Sequence, residues 1–151
     1  MSTATLDPML CFAIYSVERR IGQVYREILA PWGLSYTQYV VLLALGDEAG
    51  EYEIGAGASV GRLGELLGLD SGTLSPLLKR LETRGVVRRS RSAGDERVVE
   101  VALTASGRDL LAELADVPRC FADRMPLTAD EASDLLGRMR ALDHGLATAA
   151  R

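Results

Sequence analysis

The chain of 151 residues is poor in the side chains that most catalysis and metal binding require. It has one histidine, His144, close to its end. That argues against His-based catalysis and against a His-rich metal site. Cysteine occurs only as Cys11 and Cys120, which make neither a disulfide framework nor a zinc site. Trp32 is the only tryptophan, although an apolar content of 48% still suffices for a core. Lys79 is the only lysine, so the remaining cations are arginine, the residue that favours phosphate contacts. No apolar run reaches about 18 residues, which excludes a membrane-spanning helix. The N-terminus lacks a basic region followed by an apolar core, so no secretory signal is expected. The reading is a cytoplasmic protein without metal or cofactor, one domain or one domain with dimerisation arms.

What is present is concentrated between residues 61 and 103. Leu63, Leu66 and Leu67 recur at helical spacing, which predicts a short helix over 61–67. Gly68 ends it, and Asp70 caps the next. In that second helix Leu74, Leu77, Leu78 and Leu81 fall at i, i+3, i+4 and i+7 and form one stripe to bury. The other face carries Ser71, Thr73, Ser75, Lys79, Arg80 and Thr83. Short hydroxyls at the start and cations further along suit a helix whose N-terminal end enters a major groove. Taken alone, the same face also fits the solvated side of an ordinary core helix. Pro76 is awkward inside a helix, and a local kink is expected there.

The segment that follows favours nucleic acid. Val86–Arg91 is β-prone and basic, residues 92–96 are turn-like, and Arg97–Leu103 reads as a second strand. Helix, helix and hairpin make a winged helix-turn-helix. Arg97 lies where the wing tip returns, placed for a minor groove, and Asp95 is positioned to brace its guanidinium. Between Asp70 and Arg97 there are seven cations and four acids, a net of +3 inside a chain whose total is −4. A basic patch on an acidic protein is a concentrated electrostatic footprint.

Long helical patterns flank this unit. Leu10, Ile14, Val17, Ile21, Val24 and Ile28 form a stripe over 8–30, broken by Pro31-Trp32-Gly33. Ser35 with Gln38 is a capping box opening a helix over 35–45. Residues 47–58 are polar and glycine-rich and read as a loop, and residues 58–60 add a short strand to the wing. Thr104 caps a helix towards residue 124, which Pro118 should bend or interrupt. Thr128 with Glu131 opens the last helix, with Leu135, Leu136, Met139 and Leu142 as its stripe. Helices this long cannot bury their apolar faces on so small a core. The fold class expected is mainly α with a small β-hairpin wing, and an intertwined two-fold homodimer through its N- and C-terminal helices is favoured over a compact monomer with packed termini. Two recognition helices so related read a palindrome in double-stranded DNA, with half-sites about one helical turn apart.

Cys11 sits within Leu10-Cys11-Phe12 at the start of the first helix, with Tyr15 on the same face. Tyr25 is 14 residues further, about 21 Å along the helix axis, and so out of reach of its own Cys11. By residue type alone, Cys11 reads either as a small buried hydrophobe or as a reactive thiol.

The block Asp70–Glu82, followed by Asp95-Glu96-Arg97, resembles the MarR family of dimeric winged-helix regulators. Within it, the Leu-Cys-Phe context is similar to the organic-hydroperoxide sensors of the OhrR type, which also carry a proline at the Pro76 position. The resemblance implies that Cys11 is the reactive cysteine and that Tyr25 and Tyr36 of the other subunit hydrogen-bond it. It implies a DNA-binding repressor that an organic hydroperoxide oxidises at Cys11, releasing operator DNA. In a two-cysteine subset a second cysteine on the later long helix resolves the first as an intersubunit disulfide. Cys120 lies in the matching region and is either that partner or incidental. The DNA contacts implied are Ser71, Thr73, Ser75, Lys79, Arg80 and Arg97, with Asp95 beside the last. The domain then divides into 8–45 and 104–148, for dimerisation and sensing, and 59–103 for DNA.

Three rivals stand against this. One is a MarR-type regulator answering a small aromatic ligand, with both cysteines passive. Another is a thiol peroxidase, which the absence of CxxC and of strand–helix alternation disfavours. The last is a protein-binding winged helix, which leaves the basic wing unexplained.

Overall fold

The computed structural model describes residues 9–46, 58–92 and 94–149. Residues 1–7, which read as a loose arm, and nearly all of the 47–58 loop lie outside them.

Helix α1 (Leu10–Leu29) carries the predicted stripe, but only its C-terminal end is anchored, through buried Ile28 and Leu29. Leu10 and Val17 are 66% and 53% exposed. A 3-10 turn over Ala30–Trp32 ends at Gly33, whose φ of 61° is a conformation that glycine adopts without a Cβ clash. The capping box then forms as read. The Ser35 N–H donates to Gln38 Oε1 and the Gln38 N–H to Ser35 Oγ. Helix α2 (Tyr36–Gly46) follows, buried through Tyr39, Val41, Leu42, Ala44 and Leu45.

Strand β1 (Ala58–Ser59) leads straight into α3 (Val60–Leu67), because Ser59 also accepts the Arg62 N–H and caps the helix. Gly68, at φ 62°, closes α3 as expected. Asp70 caps α4 (Ser71–Thr83), whose stripe of Leu74, Leu77, Leu78 and Leu81 is buried. Pro76 does not end this helix; it lies on the exposed side. Lacking an N–H, it cannot donate the i→i−4 bond to the Gly72 carbonyl, which lies on the solvent-facing side of the helix.

Strands β2 (Val87–Arg91) and β3 (Val99–Leu103) pair antiparallel with Val87 opposite Leu103 and Arg91 opposite Val99. The sheet order is β1-β3-β2. The second strand begins two residues later than its sequence suggests. Residues 95–98 close a turn in which the Val98 N–H donates to the Asp95 carbonyl.

Thr104 caps α5 (Ala105–Glu113) through the Gly107 N–H. The long helix read over 104–124 is interrupted, but ahead of Pro118 rather than at it. A 3-10 turn over Leu114–Asp116 separates α5 from α6 (Val117–Ala122). Pro118 falls in the first turn of α6, where a missing N–H costs nothing, so the interruption expected of it appears as the turn before it and the start of a new helix. Helix α7 (Ala129–Ala149) opens on the predicted Thr128–Glu131 box.

The core lies where the end of α1, α2, the α3–α4 pair, the wing base and α5 meet. Leu29, Leu42, Leu63, Leu74, Leu78, Leu81, Leu114, Val87 and Val101 are almost fully enclosed there. Each contributes about 1.5–3 kcal/mol by leaving water. By contrast α7 has no buried residue.

Candidate DNA-reading and redox sites

Helix α4 is presented by its buried stripe, which turns the opposite face outwards. Ser71, Thr73, Ser75, Lys79 and Arg80 are all exposed on it. Its N-terminus is fixed twice by Asp70, which accepts the Thr73 N–H at 2.9 Å and the Thr73 hydroxyl at 3.2 Å. These bonds hold the Asp70 carboxyl below the usual carboxylate range. They also commit the Thr73 proton to Asp70, so Thr73 offers a partner its remaining acceptor lone pairs.

At the wing tip the Arg97 side chain is 90% exposed, and Asp95 grips it. Asp95 Oδ1 accepts from Arg97 N at 3.0 Å and Nε at 3.2 Å, and Oδ2 accepts from Nη2 at 3.4 Å. The guanidinium is thereby oriented while remaining open to a phosphate or groove. Not every cation of the basic segment is free in this way. Arg89 is drawn back onto Glu82, at 2.8 Å from Nε and 2.7 Å from Nη2, with its own N–H on the other carboxylate oxygen. This pair ties the end of α4 to β2 and lowers the Glu82 pKa.

Trp32, Arg84 and Glu113 form a second tie, absent from the expectations above. An Arg84 Nη2 hydrogen donates to the Trp32 carbonyl, and Trp32 Nε1 donates to Glu113 Oε2 at 3.0 Å. No local pattern signals it, since the partners are 52 and 81 positions apart.

Of the four expected redox residues, two meet in one chain. The rings of Tyr25 and Tyr36 lie 4.4 Å apart, with Tyr39 at 6.1 Å from Tyr25. Phe121 of α6 stacks on Tyr25 at 4.6 Å. Burial pushes the Tyr25 pKa up to about 12, helped by the neighbouring phenols of Tyr36 and Tyr39. Tyr25 therefore stays a protonated O–H donor at any physiological pH. Cys120 is next to Phe121 and exposed. Cys11 is exposed at the other end of α1, about 21 Å from Tyr25 by helix rise. The buried-hydrophobe reading of Cys11 does not describe this chain by itself. The two cysteines are both free thiols, not bridged to each other.

Beside the tyrosines an apolar groove of about 610 Å³ runs between α1 and the α6–α7 junction. Val17, Ile21 and Val24 face Phe121, Met125 and Leu135 across it. Among the described residues no cluster of side chains could hold a metal ion, and no single helix is long and apolar enough to cross a membrane.

The comparisons with known proteins bear on this geometry. A family model described as transcriptional regulator SarA/Rot matches residues 23–114. The chain is 43% identical over 138 residues to the HTH-type transcriptional regulator TtmR of Methylorubrum extorquens, covering 91% of this chain and 67% of that protein. It is 39% identical over 131 residues to the HTH-type regulator SarZ of Staphylococcus saprophyticus, covering 87% and 85%. Among solved structures, reduced AbfR bound to DNA superposes with a TM-score of 0.80 at 30% identity, covering 94% and 92% of the two chains. Apo MarR from E. coli superposes at 0.66 with 25% identity, covering 89% and 96%. These proteins are regulators rather than enzymes. With its capped α3–α4 pair and three-stranded wing, the chain belongs to the winged-helix transcriptional regulators of the SarA/Rot and MarR type.

Proposed function

We propose that this regulator is a repressor that binds a palindromic operator as a homodimer and leaves it when an organic hydroperoxide oxidises Cys11. In this reading Ser71, Thr73 and Ser75 meet base edges or phosphates, Lys79 and Arg80 neutralise phosphates, and Arg97 enters a minor groove with Asp95 holding it. Residues 59–103 read DNA, and residues 8–45 and 104–148 pair and sense. The DNA-reading half is supported by the exposed α4 face and the braced Arg97. The pairing is supported by the solvent-facing apolar stripes of α1 and α7, among them Leu10, Leu135, Leu136, Met139 and Leu146.

The observation that carries the sensing half is the Tyr25–Tyr36–Phe121 cluster, which holds two phenols beside the helix of Cys120. Cys11 stands far from it in the same chain, so a second copy must bring a Cys11 to these donors. Phenol O–H groups there would favour the Cys11 thiolate. The thiolate attacks one peroxide oxygen, the O–O bond breaks, and the departing alkoxide takes a proton as alcohol, leaving sulfenic acid on Cys11. A Cys120 thiolate of the other copy then attacks that sulfur, the S–O bond breaks, and the departing hydroxide takes a proton as water, leaving the disulfide. The phenol contacts are lost and the spacing of the two α4 helices changes. One relative has been solved on DNA both reduced and overoxidized, and DNA-bound overoxidized AbfR superposes here with a TM-score of 0.70 at 32% identity, covering 91% of each chain.

The test is a DNA-binding titration of reduced and cumene-hydroperoxide-treated protein, with a non-reducing gel and sedimentation of the same samples. Release with a crosslinked dimer is expected. Release that survives Cys11→Ser would remove the sensing half, and a monomer at binding concentrations would remove the pairing. The groove beside α1 supports a second reading, a regulator that answers a small aromatic ligand. Peroxide-insensitive binding that phenolic compounds reverse would select it.

A further inference from the structure

The recognition helix is fixed at its N-terminal end by Asp70 and along its buried side by the leucine stripe. Its C-terminal end is fixed differently. Arg84, the residue that caps α4, reaches out of the DNA-reading unit to the carbonyl of Trp32 in the α1–α2 corner. The Trp32 indole in turn is held by Glu113, the last residue of α5. Trp32 itself is half-buried against the core. The corner is rigid on both sides, because Gly33 closes its 3-10 turn and the Ser35–Gln38 box opens α2 directly after it. Tyr36 begins that helix, four residues beyond Trp32. Three elements distant in sequence thus meet on one peptide group and one ring.

We propose that Arg84, Trp32 and Glu113 are a clamp that sets the tilt of α4 against the α1–α2 corner, and that they are positioning residues rather than DNA contacts. A planar guanidinium on a carbonyl fixes direction as well as distance. Loosening it lets α4 swing against that corner together with the wing, which Glu82 and Arg89 tie to its end, while the N-terminal cap and buried leucines keep the helix folded. Sequence-specific binding needs two α4 helices at one spacing; non-specific binding needs only cations near phosphates. The clamp therefore separates the two. Its consequence for sensing rests on the reading in the previous section: a shift at Tyr36 would reach α4 through this corner.

The test compares wild type with Arg84→Met, Trp32→Phe and Glu113→Gln, using a duplex operator obtained by in vitro selection and a scrambled duplex of equal length. Arg84→Met should weaken operator binding by about tenfold, the size of one lost charge-assisted hydrogen bond. The scrambled duplex should bind as before, and the slope of log affinity against log salt should not change. Trp32→Phe, which leaves every charge in place, should act in the same direction. The double variant should lose no more than the worse single one, as members of one unit do. Glu113→Gln, which replaces the charged acceptor of the indole N–H with a neutral one, should weaken operator binding in the same direction and by less. Equal weakening on both duplexes with a slope smaller by about one would make Arg84 a phosphate contact and overturn the clamp. Unchanged operator binding in Arg84→Met and Trp32→Phe would overturn it as well. None of these arms needs peroxide, so a wild type that ignores cumene hydroperoxide refutes the sensing reading and leaves the clamp to be decided by the duplexes.

Discussion

Adding one methyl group at Gly107 should damage this protein, whereas the same addition at Gly137 should strengthen it. Gly107 is in the first turn of α5 and buried. A Cβ there would stand 2.0 Å from the Val86 carbonyl oxygen, 3.0 Å from its carbon and 3.2 Å from a methyl of Leu103. Ordinary contact begins at 3.4 Å, so the backbone at Val86 must retreat by roughly 1.4 Å. It is poorly free to do so. The Val86 carbonyl accepts the Thr104 N–H at 3.1 Å, and Val86 is itself buried between α4 and the wing. Overpacking of this kind costs about 2–3 kcal/mol. For a chain of this length that is a fall of about 5–10 °C in Tm. Gly137 lies on the α7 face opposite Leu135, Met139 and Leu142, with nothing within 4 Å of an added Cβ. Alanine there should add up to about 1 kcal/mol by restricting the unfolded chain. Thermal unfolding followed by circular dichroism of both variants reads the two signs side by side. A Gly107→Ala Tm equal to wild type would show that the joint between α4 and the wing yields freely, and the rigid-joint reasoning would be wrong.

Arg97→Gln should leave the melting curve unchanged, weaken DNA binding, and reduce the salt slope by about one if the guanidinium meets phosphate; an unchanged affinity would take the wing tip out of the interface. Cys11→Ser should hold DNA under cumene hydroperoxide, and Cys120→Ser, which stops the oxidation at the sulfenic acid, should give no crosslinked dimer on a non-reducing gel. The Tyr25 pKa is raised to about 12, so its protonated form favours the fold. That contribution is intact below the ordinary phenol pKa of about 10 and is lost as pH rises through 12, so chemical denaturation midpoints should fall across this window. Tyr25→Phe should flatten the fall, and a fall of the same size would assign it to other groups.

The local grammar of the chain was readable because its signals are short-range. Asp70, Thr104, Ser35–Gln38 and Thr128–Glu131 each cap within three residues, and each forms the bonds its spacing implies. The leucine stripe of α4 was equally plain, since burial repeats with the helix. The interruption expected at Pro118 is found in the turn just ahead of it, where a proline crowds the carbonyl four residues back, and the proline itself opens the next helix. The second strand of the hairpin starts two residues later than its composition suggests, because Arg97 and Val98 have strand neighbours but sit in a turn. The Trp32 corner, the Glu82–Arg89 tie and the stacking of Phe121 on Tyr25 depend on contacts between distant positions, which periodicity does not encode. For the sensing residues the sequence offered a motif, and one chain brings Tyr25 and Tyr36 together while keeping Cys11 apart.

Helix α7 spans 21 residues and shelters none of them. Under the proposed pairing, its packing comes from another molecule, so folding and association are one equilibrium for this part of the chain. Unfolding temperature should then climb with protein concentration, and newly made chains should be most open to proteases in α7 until they meet. The cell's supply of this regulator would therefore respond more than proportionally to its rate of synthesis, because a scarce chain is also a short-lived one.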